Sequence, residues 1–256
     1  MGPTLWDMHV HLDFMQDARG VATEAERLGL GMFAVTVTPE GYEQTARELV
    51  DAPNVRVGVG LHPWWVADGR CDGNAVQEAA RLVRDARFVG EVGLDLSPSH
   101  VPDRSSDAQV RALEAIARAC AETSAPQSPK VLSIHSVRAA GLTLDVLESA
   151  GALDSCNCIF HWFSGTSDEL HRAVRAGCWF SINEMMLRTR RGREYARQLP
   201  ASRLLLETDL PPGEDVPFAA TEIVAQLERT LDQLADIRGA DVSQLTCENA
   251  LHLMTR

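Results

Sequence analysis

Val131-Leu132-Ser133-Ile134-His135 is a short apolar run that contains β-branched residues and ends in a histidine. A run of this length and composition is typical of a buried β-strand. Comparable runs recur along the chain and alternate with longer amphipathic stretches. The pattern predicts eight strands: Leu5–Val10, Met32–Val37, Val55–Gly60, Phe88–Val92, Val131–His135, Cys158–Trp162, Cys178–Ile182 and Arg203–Glu207.

The amphipathic stretches between the strands predict helices. Ser105–Thr123 has apolar residues at helical spacing, Phe218–Ile237 follows a proline-rich turn, and Asp241–Met254 closes the chain. Strands that alternate with helices pair in parallel through βαβ crossovers. We therefore predict an α/β fold, a (β/α)8 TIM barrel that forms a single domain over residues 1–256. An open, doubly wound sheet is the alternative.

Polar residues at the strand ends favour the barrel. The carboxyl ends of barrel strands converge on one face, where active sites lie, whereas independent core strands have no reason to end in polar residues. The polar residues at these ends are His9, His11, Thr36, His62, Glu91, His135, His161, Asn183 and Asp209.

His9 and His11 lie two residues apart on the first predicted strand, so both side chains point to the same face. Two imidazoles on one face can converge on a single cation. Taken alone, the pair is equally consistent with two histidines that satisfy their hydrogen bonds within the protein.

The partners for this pair lie at other strand ends. A glutamate in an apolar strand, as at Glu91, costs several kcal/mol unless it is paired or bound to metal, and its two oxygens can bridge two cations. His135 and His161 end neighbouring strands and form a second nitrogen pair. Asp209 is a further carboxylate, able to ligate a metal and to accept a proton.

Together these residues predict a site for two divalent metal ions with the ligands His9, His11, Glu91, His135, His161 and Asp209. Such a site polarises a phosphoryl or carbonyl oxygen and generates a hydroxide nucleophile near neutral pH. Glu207 is either a hydrogen-bond partner of a ligating histidine or a salt-bridge residue within the barrel.

Lys130 is the only lysine of the chain. Some two-metal barrel hydrolases bridge their ions with a carbamylated lysine at a strand end. Lys130 instead begins its strand, near the wrong face of a barrel, so Glu91 is the better candidate for the bridge.

Blocks of sequence that span nearly the whole chain resemble, in order, the motifs of TatD-type metal-dependent DNases. The blocks are Asp7-Met8-His9-Val10-His11-Leu12-Asp13, Gly60-Leu61-His62-Pro63, Gly90-Glu91-Val92-Gly93-Leu94-Asp95, Ile134-His135-Ser136-Val137-Arg138, Phe160-His161-Trp162-Phe163-Ser164-Gly165 and Leu205-Leu206-Glu207-Thr208-Asp209.

The resemblance implies a barrel of the amidohydrolase type and a divalent-metal-dependent phosphodiesterase, usually a deoxyribonuclease that often removes nucleotides from a 3′ end. It implies that one ion is held by His9, His11 and Asp209 and the other by His135 and His161. It further implies that Glu91 bridges the ions, that His62 lies beside the scissile phosphate, and that Asp209 helps to activate the attacking water. The catalytic residues expected on this basis are Asp209, Glu91 and His62.

The chain departs from the family pattern in the loops that follow these ligands. Family members often read G-x-H-P-H, whereas here Trp64 and Trp65 follow Pro63. These tryptophans either form a stacking platform for bases or pack at the mouth of the barrel. Because the substrate loops diverge while the ligands are intact, metal chemistry is better supported than any particular substrate.

Composition and charge limit the possible partners. The net charge of −12 argues against a broad nucleic-acid-binding surface, and it suits single-stranded DNA or oligonucleotide ends better than long duplex. The dense basic cluster is Arg188, Arg190, Arg191 and Arg193, for which we expect contact with substrate phosphate. No apolar run is long enough to span a membrane, and the N-terminus does not resemble a signal peptide, so we expect a cytoplasmic protein with free cysteines.

Two other functions stay open at this point. The same metal pair could hydrolyse C–N or ester bonds in a small-molecule or aminoacyl substrate. A non-catalytic subunit of a larger assembly is a third possibility, although the full ligand set argues against it. The metal could be Mg²⁺, Mn²⁺ or Zn²⁺, since nitrogen ligands favour transition metals while magnesium is common in phosphodiester cleavage.

Overall fold

Eight parallel strands form the centre of the molecule and pair in chain order from β1 to β8. The structure is a computed structural model that describes residues 2–101 and 106–255. The strands are β1 Leu5–Val10, β2 Leu30–Val35, β3 Val55–Leu61, β4 Phe88–Asp95, β5 Val131–Val137, β6 Asn157–His161, β7 Trp179–Ile182 and β8 Leu204–Leu206.

Helices alternate with the strands and pack around the sheet. They are α1 Ala18–Arg27, α2 Pro39–Glu48, α3 Pro63–Ala67, α4 Gly73–Asp85, α5 Ser106–Thr123, α6 Ala140–Ser149, α7 Ala152–Ser155, α8 Ser167–Arg175, α9 Glu184–Leu187, α10 Arg190–Gln198, α11 Ala220–Arg238 and α12 Ser243–Met254. The strands pair in sequence order and β1 contacts β8, which confirms the predicted barrel and excludes the open sheet.

The first and last strands meet where the barrel closes. The backbone N–H of Asp209 donates to the carbonyl of His9 over 2.9 Å, and the N–H of His11 donates to the carbonyl of Leu210 over 2.8 Å. These bonds join the segment after β8 to the end of β1. Closure therefore brings Asp209 beside the two histidines of the first strand.

Apolar side chains fill the other end of the barrel. Phe33, Val131 and Leu205 are fully buried there and pack against α12 through Leu253 and Met254. At about 25 cal/mol per Å² of apolar surface removed from water, each such side chain contributes about 1.5–3 kcal/mol. This end is a packed plug, so the opposite, carboxyl end is the one that can carry a site.

Several predicted boundaries are wrong by a few residues. The second strand is Leu30–Val35 rather than Met32–Val37, because Leu30 pairs with Leu5 and the ladder ends before Thr36. Parallel strands buried on both faces read as continuous apolar runs, so their sequence gives no clear ends. For the same reason β3, β4 and β5 run further than predicted, and β8 is shorter.

The three predicted helices are present with small shifts at their starts. The helix predicted from Ser105 is described from Ser106, and Ser105 itself lies outside the described residues. The next predicted helix begins at Ala220 rather than Phe218, and the last begins at Ser243 rather than Asp241.

Lys130 lies at the plugged end of the barrel, as predicted. Its ammonium group donates to the carbonyls of Arg84 over 3.1 Å and Ala86 over 2.6 Å, just before β4 begins. All six cysteines are free thiols, as expected. Within residues 2–101 and 106–255, no helix combines the length and apolar character needed to cross a membrane.

Gly93 allows β4 to approach β5 closely at the level of His135. Its φ is +149°, and a Cβ there would lie 2.0 Å from the carbonyl oxygen of His135. Gly93→Ala should therefore lower the free energy of unfolding by about 3 kcal/mol or more, since it combines backbone strain with a clash against backbone. Urea denaturation measures this loss.

Gly73→Ala is the matched control. Gly73 begins α4, has an ordinary φ, and would place its new Cβ in open space. The free energy of unfolding of the Gly73→Ala variant should stay the same or rise slightly, because alanine restricts the unfolded chain. Equal denaturation midpoints for the two variants would contradict the close approach of β4 and β5.

Candidate metal centre

The carboxyl ends of the strands surround one buried carboxylate, that of Glu91 on β4, which is only 2% exposed. The residues expected to form the site are all brought together around it. They are His9, His11, His62, His135, His161 and Asp209.

One oxygen of Glu91 faces the first strand. Oε2 lies 3.3 Å from His9 Nε2 and 3.4 Å from His11 Nε2. Asp209 Oδ1 lies 3.5 Å from each of the same two nitrogens. Two nitrogens and two carboxylate oxygens thus converge on one region beside Glu91.

The other oxygen of Glu91 faces the fifth and sixth strands. Oε1 lies 2.6 Å from His135 Nδ1 and 2.8 Å from His161 Nε2. These two nitrogens are 3.2 Å apart. A second convergent group therefore lies across Glu91 from the first, and each group uses a different oxygen of the same carboxylate.

Backbone geometry explains why these side chains converge. His9 and His11 share a face through the two-residue period of β1. Glu91 follows Gly90, whose φ is +152°. Asp209 has a φ of +60°, a conformation that non-glycine residues adopt at a cost. Such strain persists only where the surroundings hold it, and here the bond from Asp209 to His9 does so.

On the first-strand side, each histidine has a polar neighbour at its other ring nitrogen. His9 Nδ1 lies 2.7 Å from the hydroxyl of Ser133, and His11 Nδ1 lies 3.7 Å from Asp13 Oδ1. Histidines that bind metals usually have such a partner, which fixes the ring orientation and the position of the proton.

The histidines on the other side have carboxylates as partners. His135 Nε2 lies 3.3 Å from Asp95 Oδ2, and His161 Nδ1 lies 3.7 Å from Glu207 Oε1. Glu207 also accepts hydrogen bonds from Ser181 and from Asn183. Of the two roles that the sequence left open for Glu207, a salt bridge to an arginine or lysine is absent among the described residues, and the approach of 3.7 Å to His161 is too long for a hydrogen bond.

Asp7 joins the two strands that close the barrel. It is fully buried and accepts hydrogen bonds from the backbone of His9 and from both the N–H and the hydroxyl of Thr208. Burial raises the pKa of Asp7 to about 7, against those hydrogen bonds, which lower it. Asp7 thus holds the histidine strand against the segment that leads to Asp209.

His62 differs from the other histidines of the cluster. The backbone N–H of Trp64 donates to its Nδ1 over 3.2 Å, so the proton of the neutral ring lies on Nε2. Nε2 is 3.3 Å from Glu91 Oε1. Burial lowers the pKa of His62 to about 4, although Glu91 opposes the shift. At neutral pH His62 is therefore an N–H donor, and the protonated Nε2 has no lone pair for a cation.

The charges of the cluster fit a cation. Burial alone would raise the pKa of Glu91, but His62, His161 and His9 hold it well below its usual range. His9 Nε2 is buried without a hydrogen-bond partner among the described residues. A cation between this nitrogen and the neighbouring carboxylates would give the nitrogen a partner and would offset the negative charge of the carboxylates. The ligand atoms of His9, His11 and Glu91 all lie within 4.8 Å of one another.

A cavity of about 480 Å³ opens onto this cluster. Phe14, Trp65, Trp162, Pro211 and Pro212 contribute apolar walls, while the histidines and carboxylates form its floor. It is large enough for a small organic group, and Ser136 and Ser164 add polar groups to its lining.

The two tryptophans after Pro63 have different surroundings. The indole N–H of Trp64 donates to Asp95, and its ring stacks on His100. Trp65 lines the cavity, and the guanidinium of Arg70 lies 3.9 Å from its ring centre. Both tryptophans line the cavity and are partly buried, but the polar group of Trp64 is already bonded to Asp95.

In the basic cluster Arg188 follows α9, while Arg190, Arg191 and Arg193 lie at the start of α10, and all four arginines are exposed. Arg188 pairs with Glu184 over 3.3 Å. Nearby, the hydroxyl of Tyr195 on α10 donates to the carbonyl of Gly165, one residue after Ser164 of the cavity wall. This bond holds α10 near the loop that borders the cavity.

Sequence reasoning missed the residues that hold the histidines. Ser133 carries a usable signal, because it lies two residues before His135 and therefore on the same face of β5. Asp95 is the last residue of the sequence block that contains Glu91, and both residues lie on β4. Serine and aspartate are both common residue types in and beside strands. Their contacts, rather than their residue types, therefore identify their roles.

The sequence is similar to those of known nucleases. The family model described as TatD related DNase matches residues 6–255. A protein of Citrobacter rodentium named 3′-5′ ssDNA/RNA exonuclease TatD is 28% identical, over 94% of this chain and 93% of its own. A human protein named deoxyribonuclease TATDN3 is 26% identical, over 100% of this chain and 96% of its own.

Solved structures agree on the fold. The Escherichia coli K12 protein YJJV, described as a TatD homolog, aligns with a TM-score of 0.79 at 21% identity, over 99% of this chain and 98% of its own. An organophosphorus hydrolase variant from Deinococcus radiodurans aligns with a TM-score of 0.58 at 14% identity, over 97% and 92%. These likenesses extend over the entire barrel.

Proposed function

The chain belongs to the TatD-related DNase family, and from this premise we propose that it removes nucleotides from the 3′ ends of single-stranded DNA or oligonucleotides. It is a metal-dependent hydrolase of phosphodiester bonds, as its nuclease relatives are named. The observation that carries the metal-dependent chemistry is the buried carboxylate of Glu91, which offers one oxygen to each of two groups of histidines. The 3′ polarity and the single-stranded substrate are proposed from the name of the Citrobacter rodentium relative, 3′-5′ ssDNA/RNA exonuclease TatD.

Two divalent cations are proposed for this centre. His9, His11 and Asp209 would hold one, His135 and His161 would hold the other, and Glu91 would bridge them. When bound, such ions offset the charge of a phosphodiester and lower the pKa of a water molecule to near neutrality. The mixture of imidazole and carboxylate ligands suits Zn²⁺ or Mn²⁺ and also accepts Mg²⁺.

Asp209 and His62 are the residues proposed to act on the substrate itself. The side chain of Asp209 is 25% exposed, so it meets the cavity and can accept a proton from the attacking water. His62 offers its Nε2 proton at the cavity floor, where it can donate to a phosphate oxygen. Because that ring is neutral, it stabilises the phosphate by hydrogen bonding rather than by charge.

The cavity supports a single-stranded end as substrate. A volume of about 480 Å³ suits an unpaired nucleotide, and the face of Trp65 gives its base a stacking surface. The net charge of −12 leaves little positive surface to grip a long duplex. Hydrolysis of C–N or ester bonds is not favoured, because the named relatives are nucleases.

Glu91→Ala tests the metal-dependent mechanism. The variant loses both bridging oxygens, so cleavage of a 5′-labelled single-stranded oligonucleotide should fall by more than about 100-fold. The assay follows stepwise shortening from the 3′ end with Mg²⁺, Mn²⁺ or Zn²⁺ added to metal-stripped protein. A blunt duplex of the same sequence should be cut more slowly than the single strand.

Glu228→Ala is the matched control, because Glu228 is an exposed glutamate on α11 and should retain wild-type rates. Equal rates for the Glu91 and Glu228 variants would exclude the bridged mechanism. Cleavage by metal-stripped protein at the full rate would exclude it as well.

The basic cluster should contribute to phosphate binding. Reversing the charge of Arg190 and Arg191 together should raise the KM for an oligonucleotide. The slope of the logarithm of the binding constant against the logarithm of the salt concentration should become shallower, by about 0.7 for each phosphate that the protein no longer neutralises. Arg111→Glu on the outer groove between α4 and α5 is the control. If the reversed cluster keeps the wild-type salt slope, the cluster does not touch the substrate.

A further inference from the structure

Trp64 is held on two sides at the mouth of the barrel. Its indole N–H donates to Asp95 Oδ2 over 2.6 Å. Its ring stacks on that of His100, with centres 3.9 Å apart and planes within 13°. The only polar group of this side chain is therefore committed to one carboxylate, and the role of Trp64 follows from what that carboxylate holds.

Asp95 is the last residue of β4 and is 1% exposed. Gln109 of α5 fixes its main chain, accepting from its N–H over 2.8 Å and donating to its carbonyl over 3.0 Å. The backbone N–H of Ser97 donates to Oδ1 over 2.7 Å. The main chain and Oδ1 are therefore held without Trp64, whereas Trp64 donates the shorter of the two contacts that Oδ2 makes.

The same Oδ2 lies 3.3 Å from His135 Nε2. An ionised carboxylate can only accept, so this contact places the imidazole proton on Nε2. Glu91 also only accepts, and it faces Nδ1 over 2.6 Å at the centre of the cluster. A cation held between Nδ1 and Glu91 would take the place of the proton on Nδ1, while the proton on Nε2 would stay directed at Asp95. The orientation of His135 toward the centre thus depends on the position of Asp95 Oδ2.

We propose that Trp64 is a positioning residue that fixes Asp95, and through it His135, so that Nδ1 of His135 faces the metal centre. The inference rests on the proposed function, since it takes His135 as a ligand. Residue 64 lies where this chain departs from the usual family pattern, so the contact belongs to this sequence.

Trp64→Phe tests the proposal with little structural change. Phenylalanine keeps an aromatic ring against His100 and removes the N–H. Titration of metal-stripped, full-length protein with Mn²⁺ in a calorimeter should show one of the bound ions weakened by about 3- to 10-fold. Asp95→Asn, which removes the charge beside His135, should weaken that ion by about 10- to 100-fold.

The double variant Trp64→Phe/Asp95→Asn shows whether Trp64 acts through Asp95 or whether the two residues act independently. If Trp64 acts through Asp95, adding Trp64→Phe to Asp95→Asn should weaken Mn²⁺ binding little further, because the carboxylate that it positions is already gone. Saturating Mn²⁺ should restore the turnover of Trp64→Phe with an unchanged KM for the oligonucleotide. Trp65→Phe should leave the Mn²⁺ affinity at the wild-type value.

Four results would overturn the inference, the last of them together with the proposed function. Unchanged Mn²⁺ affinity in Trp64→Phe with a raised KM would make Trp64 a substrate contact instead. Fully additive losses in the double variant would make the two residues independent. The metal-stripped Trp64→Phe variant could also melt at a lower temperature than wild type. If this loss of stability explained the whole loss of Mn²⁺ affinity, the role of Trp64 would be structural. Wild-type protein that binds no Mn²⁺ would overturn the proposed function and this inference together.

Discussion

The rest of the structure depends on one constraint, which is that the buried carboxylate of Glu91 must be neutralised by its neighbours. Burial of an unpaired carboxylate costs several kcal/mol, and β4 places this one at the centre of a closed barrel. The surrounding histidines lower its pKa and keep it charged. A carboxylate surrounded by imidazoles on both sides is stable only when protons or cations lie between them, and this requirement links the fold to metal chemistry.

The barrel meets this requirement by joining distant parts of the sequence. Asp7 and Asp209 each bond across the closure of β1 and β8, so the strand that carries His9 is fixed relative to the last acidic residue. Gly93 lets β4 approach β5 closely enough to bring His135 against Glu91. At the other end, α12 and the apolar plug keep the strands in place, so stability and chemistry lie at opposite ends of the barrel.

The sequence was sufficient for the architecture and for the group of residues around Glu91. Repeated apolar runs that end in polar residues are a strong signal, because those residues have no reason to be there unless the strand ends meet. Strand boundaries were less predictable, as the shift of β2 by two residues illustrates. The residues that hold the histidines were less predictable still, since Ser133 and Asp95 are ordinary residue types whose importance lies in contacts between strands.

Glu91 is proposed to bridge two cations, and crystals grown with Mn²⁺ and measured at the manganese absorption edge would show whether it does, because anomalous scattering locates each ion independently of the protein atoms. We expect two peaks on opposite sides of Glu91, one beside His9, His11 and Asp209 and the other beside His135 and His161. A single peak that leaves Glu91 uncoordinated, or no peak in this cluster, would contradict it.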